Sequence, residues 1–222
     1  MTRPTPRWRR RKEARPQEIL DAALDLFAER GFAATRLEDV AARAGVTKGT
    51  VYLYFKTKDE LFKGLVRVAL LTDLEEFEAA AESGTATELL ERMVTKWVAE
   101  FVPSRAGVLP KLIIAEVGNF PDLAKFYLEE FVLRVLGLVR RALARGITAG
   151  EFRPVDVEST AYLFVAPLLL TALWTHSFAN YAGHRLDATA VGRAHLDLLL
   201  AGLRPSPEPA GRRRGVTTRG ES

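Results

Sequence analysis

The stretch that decides the fold is GFAATRLEDVAARAGVTKGTVYLYFKTKDELF, residues 31–62. Thr35 precedes Glu38 by three positions, which is the spacing of a capping box and predicts the start of a helix. Gly45 ends that helix, and Thr47 is placed to cap the next one. Two short helices joined by a turn that contains glycine are typical of a helix-turn-helix. The predicted helices span residues 37–44 and 48–55.

The second helix of this pair begins with Thr-Lys-Gly-Thr, residues 47–50. Small side chains let the backbone approach DNA closely, and the free amides of a helix N-terminus bind phosphate oxygens. A helix of this size fits the major groove. Tyr52 and Tyr54 add hydroxyl groups, and Lys56 and Lys58 add charges, that can reach phosphates. The alternative for Tyr52 is that its ring packs in the core. The alternative for Lys56 is that it is only a solvated charge.

Over about residues 16–62, the sequence resembles the signature of the TetR/AcrR family of transcription regulators. The residues matched in order and spacing are Gly31, Phe32, Thr35, Val40, Ala41, 44–55 and 58–61. The resemblance assigns base and phosphate contacts to Thr47, Lys48, Gly49 and Thr50. It assigns phosphate contacts to Tyr52, Tyr54 and Lys58, and support of the backbone to Thr35.

Members of this family are homodimers that bind palindromic operators in double-stranded DNA. They release the DNA when a small molecule enters the helical body. The resemblance implies a ligand-responsive repressor whose effector is small and apolar. A constitutive or architectural DNA-binding regulator without a small-molecule ligand is the alternative, because only the presence of a pocket separates the two classes.

Hydrophobic periodicity predicts helices along nearly the whole chain, and no run of alternating β-branched residues indicates a sheet. In the first helix, Ile19, Ala23, Leu26 and Phe27 share one face, and Gly31 ends the helix. We predict an all-α fold of about nine helices, in which a three-helix helix-turn-helix domain precedes a helical bundle for dimerisation and ligand binding. The predicted segments are a basic disordered arm (1–15), the DNA-binding domain (16–60), the ligand-sensing and dimerisation domain (61–203) and a disordered tail (204–222).

Positive charge is concentrated at the two ends of the chain, although the formal net charge is only +4. Residues 1–15 hold seven basic groups and one acidic group, and residues 204–222 hold five basic groups and two acidic ones. A basic arm beside a folded domain predicts contacts with DNA phosphates. The arm is unusually rich in arginine for the family. The alternative is a solvated, disordered terminus.

Aromatic residues are scattered through the predicted body. Some of them are predicted to line an apolar effector pocket, because ligand pockets are mostly apolar with a few polar groups. Ordinary core packing is the alternative for each one. The candidates for the pocket are Trp97, Phe101, Phe120, Tyr127, Phe131, Tyr162, Trp174 and His176.

The segment from Ser159 to His184 contains no Asp, Glu, Lys or Arg and is long enough to cross a membrane. Its polar residues, its sparse basic flanks and the lack of a second such segment argue against a membrane span. A helix that is apolar all round is also found buried between a core and a partner subunit. The resemblance favours this second interpretation and pairs the helix with residues 188–203 in a dimer interface.

The sequence predicts no enzyme, no cofactor and no metal site. It contains no G-x-S-x-G motif, no P-loop and no G-x-G-x-x-G that follows a strand. The chain has no cysteine, which excludes disulfides, thiolate catalysis and Cys-ligated zinc, and its three histidines are scattered. No apolar segment follows the basic N-terminus, so we expect no secretory signal and a cytoplasmic protein.

Overall fold

The computed structural model describes residues 7–116 and 118–205, with side chains from residue 15 onward within those ranges. In these residues the backbone forms nine helices and no strand, which confirms the all-α class. The three helices of the N-terminal part are α1 (Arg7–Ala34), α2 (Leu37–Arg43) and α3 (Lys48–Tyr54).

The other six helices form the body, and four of them contain a π-helical turn. These four are α4 (Lys58–Val66, the π turn Arg67–Leu71, then Thr72–Ala79), α5 (Ala86–Lys96, then the π turn Trp97–Phe101), α7 (Pro121–Tyr127, the π turn Leu128–Val132, then Leu133–Thr148) and α8 (Val157–Leu173, then the π turn Trp174–Phe178). The remaining two are α6 (a 3₁₀ turn Arg105–Val108, then Leu109–Glu116) and α9 (Ala188–Leu203).

The N-terminal end of the chain differs from the predicted disordered arm, because the helical backbone already begins at Arg7. Residues 7–15 are mostly Arg, Lys, Glu and Ala, which have high helix propensity and extend the amphipathic helix that follows. Residues 1–6 and 206–222 lie outside the described residues, and with them most of the predicted tail.

The end of α1 differs from the expected capping pattern. Gly31 has φ 83° and ψ 166°, a conformation open to glycine, and the helix bends there before it ends at Ala34. Thr35 is buried, and its hydroxyl donates hydrogen bonds to the carbonyl oxygens of Gly31 (2.8 Å) and Leu26 (3.3 Å). The N-cap of α2 is Arg36, whose side chain makes no capping bond. The predicted capping box is wrong because the free carbonyls at the end of α1 hold the Thr35 hydroxyl.

Two hydrophobic cores meet along the middle of the molecule. The first joins α1, α2, α3 and the beginning of α4 to the end of α5, α6 and the start of α7. The second joins the rest of α4 to α5, α7, α8 and α9. Trp97 and Phe131 pack against both cores. The domain boundary expected after residue 60 falls inside α4, whose Leu61 and Leu65 belong to the first core. The face predicted for α1 is buried as expected: Ile19, Ala23, Leu26 and Phe27.

Helix α8 is the most apolar helix of the described chain. Over Val157–Phe178 it is long and apolar enough to cross a membrane by length and composition, and no other described helix is. Only 28% of its most apolar window is buried within the protomer. One face packs against α7 and α9, with Phe164 and Leu168 buried. Other apolar side chains, among them Leu163 and Leu170, are exposed.

Candidate DNA-binding surface and effector cavity

Helices α2 and α3 form the predicted helix-turn-helix. The turn between them contains Gly45 with φ 64°. Val40 of α2 and Val51 of α3 are completely buried in the first core, which fixes the inner face of each helix. Thr47 is the N-cap of α3, and its hydroxyl oxygen accepts a hydrogen bond from the backbone amide of Thr50 at 3.2 Å. The two threonine hydroxyls lie 2.9 Å apart.

The outer face of α3 carries most of the predicted DNA contacts. Thr47, Lys48, Gly49 and Tyr52 are exposed, and Thr50 is half-buried. This face begins at the helix N-terminus and consists of short or polar groups, so the helix can enter the major groove with its backbone close to the DNA. The exposure of Tyr52 removes the alternative of a core aromatic.

Leu53 is a surface residue of α3 that the sequence analysis did not include among the contacts. It is 72% exposed and stands four positions after Gly49, on the same helical face. An exposed apolar side chain beside polar ones can contact the methyl group of thymine. Its helical spacing from Gly49 was the signal that could have identified it.

Lys48 is held in an ion pair with Glu38 of α2, and its ammonium nitrogen lies 5.5 Å from the centre of the Tyr52 ring. The hydrogen bond that Lys48 donates to Glu38 raises the pKa of Lys48, and the same bond lowers the pKa of Glu38. Both side chains are exposed, so the pair is accessible to solvent. When Lys48 contacts DNA, its ammonium group leaves the Glu38 carboxylate and binds a phosphate or a base instead.

Three further predicted contacts have intramolecular partners. The ammonium group of Lys58 donates hydrogen bonds to the carbonyl oxygens of Phe32 (2.7 Å) and Ala33 (3.0 Å), at the end of α1. Thr35 is buried beneath the same chain segment, where its hydroxyl donates a hydrogen bond to the carbonyl oxygen of Gly31. Tyr54 is half-buried and packs against the first core. Lys58 and Thr35 therefore connect α1 to α4 and α2, and neither side chain lies on the outer face of α3.

Two other basic side chains near the helix-turn-helix remain available for phosphate binding. Arg36 at the N-cap of α2 and Lys56 after α3 are exposed, and neither side chain forms an ion pair or a hydrogen bond within the described residues. A charge at the start of a helix, next to its free amides, suits a phosphate. Lys56 was predicted from the sequence, whereas Arg36 was not, because the predicted capping box contains it.

The body contains an apolar cavity of about 450 Å³, within the usual range for small-molecule sites. The cavity is lined mainly by aliphatic and aromatic side chains of α4, α5, α6, α7 and α8. Among the described residues that line it, the charged ones are Asp73, Lys96 and Lys125. Four of the predicted candidates line the cavity: Trp97, Phe101, Tyr127 and Phe131.

The π-helical turns of α4, α5 and α7 all contribute to the cavity wall. A π turn widens the helix locally and is frequent at functional sites. Leu70 lies in the first of these turns, Trp97 and Phe101 in the second, and Leu128 and Phe131 in the third. The rings of Trp97 and Phe101 are stacked with centres 4.5 Å apart, and the Trp97 ring N–H donates to the carbonyl oxygen of Leu168 at 2.9 Å.

Tyr127 is the polar aromatic of the cavity wall. Burial raises the pKa of its hydroxyl group, which stays neutral at physiological pH. Within the part of the chain that the structure describes, this hydroxyl has no hydrogen-bond partner. It can donate a hydrogen bond to a polar atom of a bound molecule.

The other four predicted pocket residues lie outside the cavity. Phe120 packs edge-on against Phe32 with ring centres 4.7 Å apart, and Tyr162 is exposed on α8. Trp174 packs against Phe178, and His176 lies 2.9 Å from the carbonyl oxygen of Val102. These four residues were predicted to line a pocket because they are aromatic. Their positions on the helices direct their side chains to solvent or to other contacts instead.

No group of three or more His, Asp or Glu side chains in the described residues is arranged to hold a metal ion. His195 lies 3.0 Å from the carbonyl oxygen of Phe164, and burial lowers its pKa. His184 lies 3.0 Å from the carbonyl oxygen of Ala182. Each histidine is thus engaged by a backbone carbonyl.

Comparison with known families and proteins identifies the chain. Residues 19–65 match the family model described as bacterial regulatory proteins of the tetR family, and residues 80–183 match the model described as tetracyclin repressor-like, C-terminal domain. The HTH-type transcriptional repressor KstR2 of Rhodococcus jostii (strain RHA1) is 31% identical over 198 residues, which cover 86% of this chain and 92% of that protein.

The chain belongs to the TetR family of transcription regulators.

Two more similarities concern the body of this TetR-family regulator. The fatty acid metabolism regulator protein of Bacillus subtilis (strain 168) is 26% identical over 197 residues, which cover 86% of this chain and 98% of that protein. The crystal structure of the transcriptional regulator FadR from Bacillus subtilis in complex with stearoyl-CoA superposes with a TM-score of 0.70 at 25% identity, over 85% of this chain and 99% of that chain. As a TetR-family member with these relatives, the chain is a transcription regulator and not an enzyme.

Proposed function

We propose that this TetR-family regulator is a ligand-responsive repressor, which binds a near-palindromic operator as a homodimer and leaves it when a small apolar effector enters the body. The observation that carries the proposal is the course of α4. Its first segment, Lys58–Val66, packs on α1, whereas Ala69 and Leu70 in the following π turn line the cavity. An effector in the cavity touches the helix that supports the DNA-binding helices.

The apolar surface of α8 and α9 supports a homodimer. Tyr162, Leu163 and Leu170 of α8 and Leu198 of α9 are exposed, and the two helices pack side by side. A large exposed apolar surface marks an interaction site, and a two-fold axis brings the same surface of two copies together. Such a dimer places its two α3 helices about one helical turn of DNA apart, ~34–36 Å, or further apart for wider half-sites.

The cavity supports an effector with a long apolar body, because most of the side chains that line it are aliphatic or aromatic. The likeness to FadR, a protein crystallised with stearoyl-CoA, points in the same direction. The alternative of a regulator without a small ligand leaves the cavity without a role. A regulator of bacterial type that binds DNA acts in the cytoplasm, where we place this protein.

The test combines operator selection with effector release. DNA selected from a random library, footprinting and solution mass should give a symmetric site bound by two copies of the chain. Hexadecanol and palmitate, two sixteen-carbon probes, should release that DNA. The variant Val165→Trp, which fills the cavity, should keep the DNA bound, with thermal unfolding as the check on folding. If neither probe releases the DNA from the parent protein, the regulator without a small ligand is the better description.

A further inference from the structure

Lys96 stands at the boundary between the apolar cavity and a second depression of about 670 Å³ on the surface between α4 and α5. We call this depression the outer groove. Lys96 and Phe77 line both the cavity and the outer groove, so the two spaces are neighbours at this point. Lys96 is therefore a basic group at the place where the apolar cavity meets solvent.

The ammonium group of Lys96 forms ion pairs with two carboxylates of α4. Its ammonium nitrogen lies 2.9 Å from the Asp73 carboxylate and 3.6 Å from that of Glu76. The hydrogen bond that Lys96 donates to the Asp73 carboxylate raises the pKa of Lys96, which stays charged at neutral pH. The Lys96 and Asp73 side chains are partly exposed, so a carboxylate from solution can reach the same ammonium group.

We propose that Lys96 binds the carboxylate of an amphiphilic effector whose apolar body fills the cavity. This inference rests on the proposed function and names the chemical class of the effector. The carboxylate replaces Asp73 as the partner of Lys96 and keeps the ammonium group paired, which offsets the cost of breaking the internal ion pair. The hydrophobic part stays within the aliphatic and aromatic wall.

The outer groove favours a single compact charge over a polyanionic headgroup. Beyond Lys96 its charged residues are one basic group, Arg92, and four acidic groups: Glu76, Glu88, Glu91 and Glu100. Like charges repel, and several phosphates placed in this groove meet more carboxylates than cations. A free carboxylic acid therefore suits the place where the cavity meets the outer groove better than a coenzyme A ester does.

The exchange at Lys96 also affects α4. Asp73 and Glu76 belong to the last segment of α4, and Lys96 belongs to α5, so the ion pair ties the two helices together. An effector carboxylate on Lys96 releases these α4 carboxylates. The first segment of the same helix packs on α1, which gives the exchange a direct route to the DNA-binding part.

The experiment titrates the full chain with palmitate, hexadecanol and palmitoyl-CoA, followed by tryptophan fluorescence because Trp97 lines the cavity. The parent should bind palmitate more tightly than palmitoyl-CoA. Lys96→Met should weaken palmitate binding by about tenfold or more, the loss expected for a charge-assisted hydrogen bond. It should leave hexadecanol binding unchanged, and Lys96→Arg should retain palmitate. The matched control is Lys63→Met, which removes a lysine of α4 that lines neither the cavity nor the outer groove and should change neither affinity.

A second variant guards against a folding defect. Asp73→Asn frees Lys96 from its internal partner and should raise the affinity for palmitate while leaving hexadecanol unchanged, a gain that a damaged protein does not produce. Equal affinity of the parent for palmitate and hexadecanol, an equal loss of both in Lys96→Met, or tighter binding of palmitoyl-CoA than of palmitate would each overturn the assignment of Lys96. Failure of all three probes to bind would instead count against the apolar effector of the proposed function.

Discussion

The ammonium nitrogen of Lys58 lies 2.7 Å from the carbonyl oxygen of Phe32 and 4.4 Å from the centre of the Phe32 ring. Lys58 begins α4, and Phe32 follows the bend of α1. Phe120 closes the other side of this cluster, with its ring centre 5.9 Å from the same nitrogen. Burial lowers the pKa of Lys58. The first turn of α4 is thus bound to the end of α1 by a partly buried cation.

Lys58→Met should lower the free energy of unfolding by about 1–3 kcal/mol, because two backbone carbonyls lose their charged donor. Urea denaturation measures the change. The control is Lys56→Met, which removes an exposed lysine without an ion pair in the described structure. That variant should leave stability unchanged and weaken binding to all DNA, with a salt slope smaller by about 0.9 if one phosphate contact is lost. Unchanged stability of Lys58→Met would show that the cluster contributes nothing to the fold.

Lys48→Ala should weaken operator binding by about 1–3 kcal/mol if Lys48 reads a base, and should leave the melting temperature nearly unchanged. Its partner gives the opposite test: Glu38→Gln frees Lys48 and removes a negative charge beside the DNA surface. We expect Glu38→Gln to strengthen binding to both specific and nonspecific DNA. DNA titrations paired with thermal unfolding separate the two effects. An operator affinity of Lys48→Ala equal to that of the parent would contradict the assignment.

Val51→Ala should lower the free energy of unfolding by about 1–2 kcal/mol, because it removes methyl groups from a completely buried side chain. The folded variant should bind the operator as the parent does, since Val51 faces the core. Leu53→Ala is the matched control on the opposite face of α3 and should leave stability unchanged. A loss of DNA affinity without a loss of stability in Val51→Ala would mean that α3 is rotated relative to the structure.

The inner faces of the helices could be predicted from the sequence, because helical periodicity alone decides them. Ile19, Ala23, Leu26 and Phe27 were predicted from their spacing to share one face of α1, and all four are buried. Local capping was harder to predict. Thr35 had two available partners, the amides ahead of it and the carbonyls behind it, and the bend at Gly31 brought the carbonyls within reach.

The members of the cavity wall could be predicted only in part. Trp97 and Trp174 each begin a π turn that ends a long helix, and the sequence does not distinguish them. The structure distinguishes them, because the Trp97 ring N–H donates a hydrogen bond to the carbonyl oxygen of Leu168 on α8. The role of Lys96 required the packing of α4 on α5, since its partners are about twenty residues away along the chain.

Glu151 supports a pH-dependent contribution to stability. Its carboxylate accepts hydrogen bonds from the backbone amides of Ala86 (3.0 Å) and Thr87 (3.1 Å) at the start of α5. Burial alone raises the pKa of Glu151, but these bonds, that from the Thr87 hydroxyl and the charge of Arg145 outweigh it, so the net pKa is lowered.

A carboxylate whose pKa is lower in the folded state stabilises the protein above its unfolded pKa, about 4.3, and loses that contribution as the pH falls through the folded pKa. Glu151→Gln should therefore cost about 1–2 kcal/mol at pH 7, and the difference from the parent should shrink between pH 5 and the folded pKa. Denaturation curves at several pH values measure it. A difference that does not vary with pH would show that the charge of Glu151 is not what matters.

The double variant Leu163→Glu, Leu198→Glu should convert the proposed homodimer to a monomer. Both leucines are exposed in the protomer, so the change should leave the helical circular dichroism of each subunit intact. Each substitution occurs twice in a two-fold interface, and each fully buried leucine contributes about 1.5–3 kcal/mol of hydrophobic stabilisation, besides the cost of burying a charge. Sedimentation should report a single chain, and operator binding should weaken because the two half-sites no longer share one protein. Val68→Glu, an equally apolar exposed position on α4, is the control and should remain dimeric. A double variant that stays dimeric would move the interface away from α8 and α9.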